Sequence, residues 1–178
     1  RSSAASDVYK RQFVYSQNAA VLNGTIGEMH AKKISALYDL AMKTGAPVIG
    51  LVDCAGLRLQ EATDALEAFG SIYLKQTLAS GMIPQITAVF GTCGGGMAVV
   101  PALTDFTFIE SKKGKMFVNS PNALDGNYTE KCDTASAEFQ SKETGLIDAV
   151  ESEEEILAEI RQLIGLLPSN FEDNDSFE

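Results

Sequence analysis

The sequence has no tryptophan, a single histidine and only three cysteines in 178 residues. Cys54, Cys93 and Cys132 are widely spaced and form no CxxC pair, so with His30 alone beside them a zinc site is disfavoured. Three thiols in a domain this size fit a reducing, cytoplasmic compartment. No apolar run reaches the roughly 18 residues that span a bilayer, so no membrane insertion is expected. Bases are also scarce, 14 Lys plus Arg against 24 Asp plus Glu, a net charge of −10. That balance argues against a nucleic-acid or anionic-membrane surface, which needs a basic face. Neither GxxxxGK[ST] nor a GxGxxG opening the first βα unit is present, which disfavours a phosphate loop and a dinucleotide site.

What is present is one domain's worth of chain, 45% hydrophobic. Residues 1–12, RSSAASDVYKRQ, are small, polar and without apolar period, and read as a disordered or non-native leader. Residues 13–167 read as the domain. Pro168 breaks the last helix, and residues 168–178 read as an acidic linker or tail. Residues 151–178 carry −8 of the −10, so the body is only mildly acidic.

Within the body the pattern is strand, loop, helix. Phe13–Ser16 is a strand, and Asn23–Gly27 a turn-rich break. A helix is expected from Glu28 to Thr44, with Ile34, Leu37, Tyr38, Ala41 and Met42 on one face, stopped by Gly45 and Pro47. Pro47–Val52 is a strand apolar on both faces, as in a parallel sheet. After the loop Asp53-Cys54-Ala55-Gly56-Leu57-Arg58 a second helix is expected over Gln60–Ser80, with Ala62, Leu66, Phe69, Tyr73 and Thr77 on its inner face. Gln85–Phe90 is the next strand, followed by the loop Gly91-Thr92-Cys93-Gly94-Gly95-Gly96 and a short buried helix over Met97–Leu103. Phe106–Ile109 and Lys115–Val118 read as strands joined by the turn Ser111–Gly114. A helix near Ala135–Lys142, a strand Leu146–Val150 and a helix Glu153–Ile164 complete the chain.

The two glycine loops carry the chemistry. A strand that ends in glycines and feeds a helix exposes backbone N–H groups with no intrahelical partner. Two such loops in one sheet can converge on one oxygen as an oxyanion hole, worth about 3 kcal/mol per good donor. The expected donors are Gly56 and Leu57 in the first loop, and Gly95 and Gly96 in the second. Tight strand–helix turns without a ligand are the alternative. Gly91-Thr92-Cys93-Gly94-Gly95 also has nucleophile-elbow spacing, so a Cys93-dependent thioester or amide hydrolase with His30 as base is a second reading. A buried structural Cys93 accounts for that residue equally well. Asp105 reads as a helix-end turn residue, Arg58 as a support of its loop or a hold on an acidic group, and Lys112, Lys113 and Lys115 as a solvated turn. A non-catalytic CoA-binding assembly module is a third reading.

At these motifs the sequence resembles the carboxyltransferase subunits of biotin-dependent acyl-CoA carboxylases of the propionyl-CoA and methylmalonyl-CoA type. The stretches are Gly27–Lys33 (GEMHAKK), Thr44–Leu51 (TGAPVIGL), Leu78–Ile86 (LASGMIPQI), Cys93–Gly96 and Pro101–Phe106 (PALTDF). The resemblance implies an α/β crotonase-like fold, a ββα spiral. It implies acyl-CoA as substrate and biotin as cofactor on a partner carrier protein, with carboxyl transfer in either direction through enolates held by backbone N–H groups. It implies substrate contacts at Ala55, Arg58, Cys93, Gly94 and Met97 beside the four donors. The implied partners are biotin carboxyl carrier and biotin carboxylase components, a homologous C-terminal carboxyltransferase domain, and further copies in a homo-oligomer. Without that second domain the chain is expected to be inactive, with an exposed apolar face where it would pack. The first loop departs from the family's Ser-Gly-Gly-Ala-Arg, and the second, with Met97, from its Cys-Ala-Gly-Gly-Ala. Backbone donors survive such changes.

Overall fold

A computed structural model describes residues 11–123 and 132–168. The expected leader and tail lie outside these residues, save Arg11, Gln12 and Pro168. Six strands form one sheet: β1 (Phe13–Ser16), β2 (Val48–Cys54), β3 (Gln85–Gly94), β4 (Phe106–Glu110), β5 (Lys115–Phe117) and β6 (Ala149–Glu151). The order is β1-β2-β3-β4-β6, and β5 pairs with the far end of β3. Among the described residues every pairing of these strands with one another is parallel, with Val48 opposite Gln85 and Ile86 opposite Phe106. A parallel sheet is covered on both faces, which is why β2 and β3 read as apolar runs.

Successive residues of those strands therefore serve two cores. Val48, Val52 and Val89 face α1 (Glu28–Thr44) and α2 (Ala62–Ala79), where Ile34, Tyr38, Phe69 and Ile72 are buried. Ile49, Ile86, Ala88 and Phe108 face the last helix, α5 (Glu153–Leu166), through Ile156, Ile160 and Ile164. Gly45 ends α1 in the left-handed region at φ 67, the usual cap that only glycine takes without strain. Ser152 and Glu155 start α5 with a reciprocal capping box, and its first-turn acids suit the helix dipole.

Four expectations need correction. α2 begins at Ala62, after a 3₁₀ turn over Leu59–Glu61. Its buried face is Ala65, Ala68, Phe69, Ile72, Gln76 and Ala79, while Leu66 is 65% exposed and Thr77 is also exposed. The helix is apolar on two sides, so an apolar period alone chose the wrong one. The stretch Gly91–Gly94 is not loop but the end of β3, since β5 offers it a pairing edge. The expected helix Met97–Leu103 is divided between a 3₁₀ turn (Gly95–Ala98) and α3 (Val99–Ala102), a short 3₁₀ piece at the start of the helix, with Leu103 as its cap. β4 and β5 are the two strands expected on either side of the turn Ser111–Gly114, and both lie along β3 rather than on one another. The Glu110 carboxylate accepts the Lys112 N–H at 2.9 Å and the Lys113 N–H, and the turn sends β5 to the end of β3. The remaining helix, α4 (Ala137–Glu143), lies within two residues of its expected bounds. No helix among the described residues is long and apolar enough to cross a membrane.

Candidate oxyanion site

The ends of the neighbouring strands β2 and β3 bring the two glycine loops together. The register slips between Val52 and Cys54, and Cys54 pairs with Cys93. Asp53, at the slip, fixes the offset. Its carboxylate accepts the Thr92 N–H at 3.0 Å, and its own N–H donates to Gln17 Oε1 at 3.2 Å. Gly91 stands opposite because any Cβ there would collide with the Asp53 carboxylate. Past this staple the backbones touch. A Cβ on Gly56 would lie 3.0 Å from the Gly94 carbonyl and 3.9 Å from Gly95 Cα. Gly56 at φ 119 and Gly95 at φ 60 are both in the region that L side chains avoid.

The first loop is held from outside by residues 22–28. The Ala55 N–H donates to Asn23 O at 3.0 Å, the Ile26 N–H to Gly56 O at 2.9 Å, and the Arg58 N–H to Ile26 O at 2.9 Å. Because Gly56 C=O and Arg58 N–H both point toward Ile26, extended-chain alternation turns the Leu57 N–H the other way. The Leu57 N–H meets no backbone acceptor among the described residues. The Gly56 N–H instead turns to its neighbour's thiol, Cys54 Sγ at 3.4 Å. Arg58 supports the loop: it donates to Thr25 O at 2.8 Å and to Glu61 Oε1 at 2.9 Å. The other Glu61 oxygen accepts the Glu28 N–H at 2.6 Å, capping α1 where Gly27 has no side chain to do so. That hydrogen bond, then Arg58, holds the Glu61 carboxyl below its ordinary range.

The second loop is held from inside. Gly95 and Gly96 open the 3₁₀ turn, so their N–H groups have no intrahelical acceptor. Gly96 rests on the stacked rings of Phe69 and Tyr73, whose centroids are 5.9 Å apart. The Tyr73 hydroxyl donates to the Gly96 carbonyl. Cys93 and Met97, on either side, are wholly buried.

Of the expected site residues, Gly56 meets Gly94 and Gly95 at the loop junction and Ala55 O lies against Gly94, while Leu57, Arg58 and Gly96 follow directly along the chain. Cys93 and Met97 differ from expectation. Their side chains fill the core, so neither lines an open pocket. Cys93 Sγ donates to Met97 O at 3.3 Å, and Met97 Sδ lies 3.9 Å from Gln17 Nε2. Burial, then the nearby Cys54, pushes the Cys93 thiol far up, which removes the thiolate a hydrolase needs. His30 is occupied at Thr25, its Nδ1–H donating to that carbonyl at 3.2 Å, and burial lowers its pKa. No hydrogen bond joins His30 to Cys93 among the described residues, so the hydrolase reading loses its pair. Asp105 accepts the Gln85 N–H at 2.8 Å and ties the start of β3, in keeping with a turn residue. Sequence reasoning missed Asp53, Glu61 and Tyr73. Only Glu61 left a trace, an acid three positions after Arg58. No cluster of metal-ligating side chains occurs among the described residues.

Comparison with known proteins meets this geometry from outside. Residues 10–177 match the family model described as carboxyl transferase domain. The chain is 41% identical over 162 residues to methylmalonyl-CoA decarboxylase subunit alpha of Veillonella parvula, covering 89% of this chain and 32% of that protein. It is 38% identical over 162 residues to the propionyl-CoA carboxylase beta chain of Roseobacter denitrificans, with the same coverage. Among solved structures, transcarboxylase 12S with methylmalonyl-coenzyme A and methylmalonic acid bound aligns with a TM-score of 0.84 at 28% identity, over 95% of this chain and 35% of that one. The chain thus spans about a third of the length of these relatives. The fold is α/β, as the strand–loop–helix pattern predicts, and crotonase-like, as the resemblance implies.

Proposed function

The chain belongs to the carboxyl transferase domain family, and from that premise we propose that it is the acyl-CoA half of a carboxyltransferase site. One observation carries the reading: two strand-end glycine loops touch, and among the described residues the Leu57 N–H meets no backbone acceptor while the Gly95 and Gly96 N–H groups, at a helical start, have no intrahelical one. Such donors suit an enolate oxygen, where negative charge develops, better than a neutral carbonyl. In the first loop the role falls to Leu57, because the Gly56 N–H is turned to Cys54 Sγ. Gly56 supplies the turn that makes this possible. In the second loop it falls to Gly95 and Gly96. Ala55, Arg58 and Gly94 border the acyl-CoA, Arg58 by holding the loop. Cys93 and Met97 act from beneath, as packing.

The substrate class is a coenzyme A thioester with a small, carboxylated acyl group. Methylmalonyl-CoA is named in two relatives and bound in the transcarboxylase structure. Biotin on a carrier protein is the implied carboxyl donor or acceptor. When bound it supplies the mobile carboxyl group. This chain's part is to hold the thioester and stabilise its enolate.

Residues 13–167 are the N-terminal domain in this reading, 168–178 a linker, and the location cytoplasmic. The homologous C-terminal domain, biotin carboxylase and carrier components, and further copies in a homo-oligomer complete the assembly. The apolar stripe of α2, with Leu66, Leu74 and Leu78 each more than half exposed, is the face such a domain would cover. Methylmalonyl-CoA decarboxylation tests the reading. The 178-residue chain alone is expected to show none, and the chain assembled with a homologous C-terminal half to show it, with or without Cys93→Ala. Loss of activity in Cys93→Ala, or activity in the lone chain, would contradict it.

A further inference from the structure

α2 meets the second loop at one point, and that point is polar. A Cβ on Gly96 would be tightly placed: the added atom would lie 3.0 Å from the Tyr73 hydroxyl and 3.2 Å from Phe69 Cδ2. The two rings form a bed, stacked at 27°, on which the glycine backbone rests. Phe69 is 3% exposed and supplies the buried half of that bed. Tyr73 is only partly buried, and its hydroxyl donates to the Gly96 carbonyl.

This bond bears on the donors through peptide geometry. Gly95 is at φ 60, and nothing crowds its own Cβ position closer than 3.9 Å. Two adjacent glycines can turn their shared peptide at little steric cost. A turned peptide would aim the Gly96 N–H away from the junction with Leu57. The ladder to β5 ends at Gly94, one residue too early to hold it. The 3₁₀ turn that follows is short and intrinsically weak. With its carbonyl fixed by Tyr73, Gly96 is held from α2 at the peptide that follows it, so the shared Gly95–Gly96 peptide has one anchored neighbour.

We propose that Tyr73 is a positioning residue of the second oxyanion loop, its hydroxyl fixing Gly96 so that the Gly95 and Gly96 N–H groups stay aimed at the enolate. The claim rests on the carboxyltransferase reading, but its structural half can be tested without it. Tyr73→Phe removes one oxygen and leaves the stack on Phe69. In hydrogen-exchange mass spectrometry of the 178-residue chain, residues 94–98 of this variant should exchange about 3- to 10-fold faster, as expected for one net hydrogen bond. Residues 55–58 and α5 should exchange as before. Unchanged exchange at 94–98 would overturn the proposal whatever the domain catalyses. In the assembled enzyme, kcat for decarboxylation should fall by a similar factor, with KM for methylmalonyl-CoA within about twofold. An unchanged kcat, or a change in KM alone, would overturn the positioning role. Faster exchange at 94–98 in an assembly that shows no carboxyl chemistry at all would instead overturn the functional reading and leave the Tyr73 contact standing. Tyr73→Leu, which removes ring and hydroxyl, should exceed Tyr73→Phe in both measurements, and equal effects would contradict the hydroxyl's share.

Discussion

The two loops present the same kind of donor by opposite means. The first is latched by polar contacts at the surface: three backbone hydrogen bonds to residues 22–28, and the Arg58–Glu61 pair that ties it to the start of α1. The second is wedged into the core, with Cys93 and Met97 fully buried beside it and an aromatic bed beneath Gly96. A backbone donor has no side chain to be selected, so its geometry must be enforced by neighbours. Polar latches enforce it directionally and respond to pH and salt. Packing enforces it by volume and responds to cavities.

That contrast breaks most sharply at Met97. Met97→Ala leaves a void under the second loop and should lower unfolding free energy by about 3 kcal/mol, read by urea denaturation. Exchange should rise at 94–98 well before 55–58. A loss under about 1 kcal/mol would mean that packing does not hold this loop. Gly56→Ala attacks the first loop through its backbone. At φ 119, with the Gly94 carbonyl 3.0 Å away, an added methyl should cost about 2 kcal/mol and abolish activity of the assembly. Arg58→Ala should cost less, about 1 kcal/mol, because a partly exposed ion pair contributes little. Its effect on exchange should be confined to 55–58, and spread to 94–98 would erase the distinction between latch and wedge.

Acid offers the mildest separation. Burial holds His30 below its ordinary 6.5, so its neutral form stabilises the fold above that pH, and the contribution is lost as pH falls below it. Glu61, held low by the Glu28 N–H and then Arg58, contributes above about 4.5 and fades as pH drops through its lowered folded value. Both act on the first loop and in the same direction. Exchange at 55–58, corrected for its intrinsic pH dependence, should rise on acidification while 94–98 holds. In Glu61→Gln the lower of the two steps should vanish.

Much of the fold was legible because parallel strands buried on both faces leave an unbroken apolar signature, as in Pro47–Val52, and because Gly45 and Pro47 mark a helix end plainly. The glycine loops were legible for the same reason, as interruptions of that signature. What stayed hidden depends on side chains meeting across the chain. α2 carries leucines on its open side, so periodicity favoured Leu66 over Ala65 and Ala68. Asp53 meets Thr92 only because the β2–β3 register slips, and no local pattern announces a slip. Tyr73 looks like a core residue until the hydroxyl is seen to reach Gly96. Cys93 misled in the other direction: elbow spacing is a property of the sequence, whereas burial is a property of the fold.

The central claim is that amides of both loops, and no side chain, receive the charge. Titrating the isotopically labelled 178-residue chain with methylmalonyl-CoA, while following backbone amides by two-dimensional nitrogen–proton NMR, tests it most directly. The Leu57 amide, with Gly95 and Gly96, should move downfield together and saturate at one ligand concentration, while Gly56 moves less. Shifts confined to residues away from the loop junction, or a response at the first loop without the second, would contradict the account.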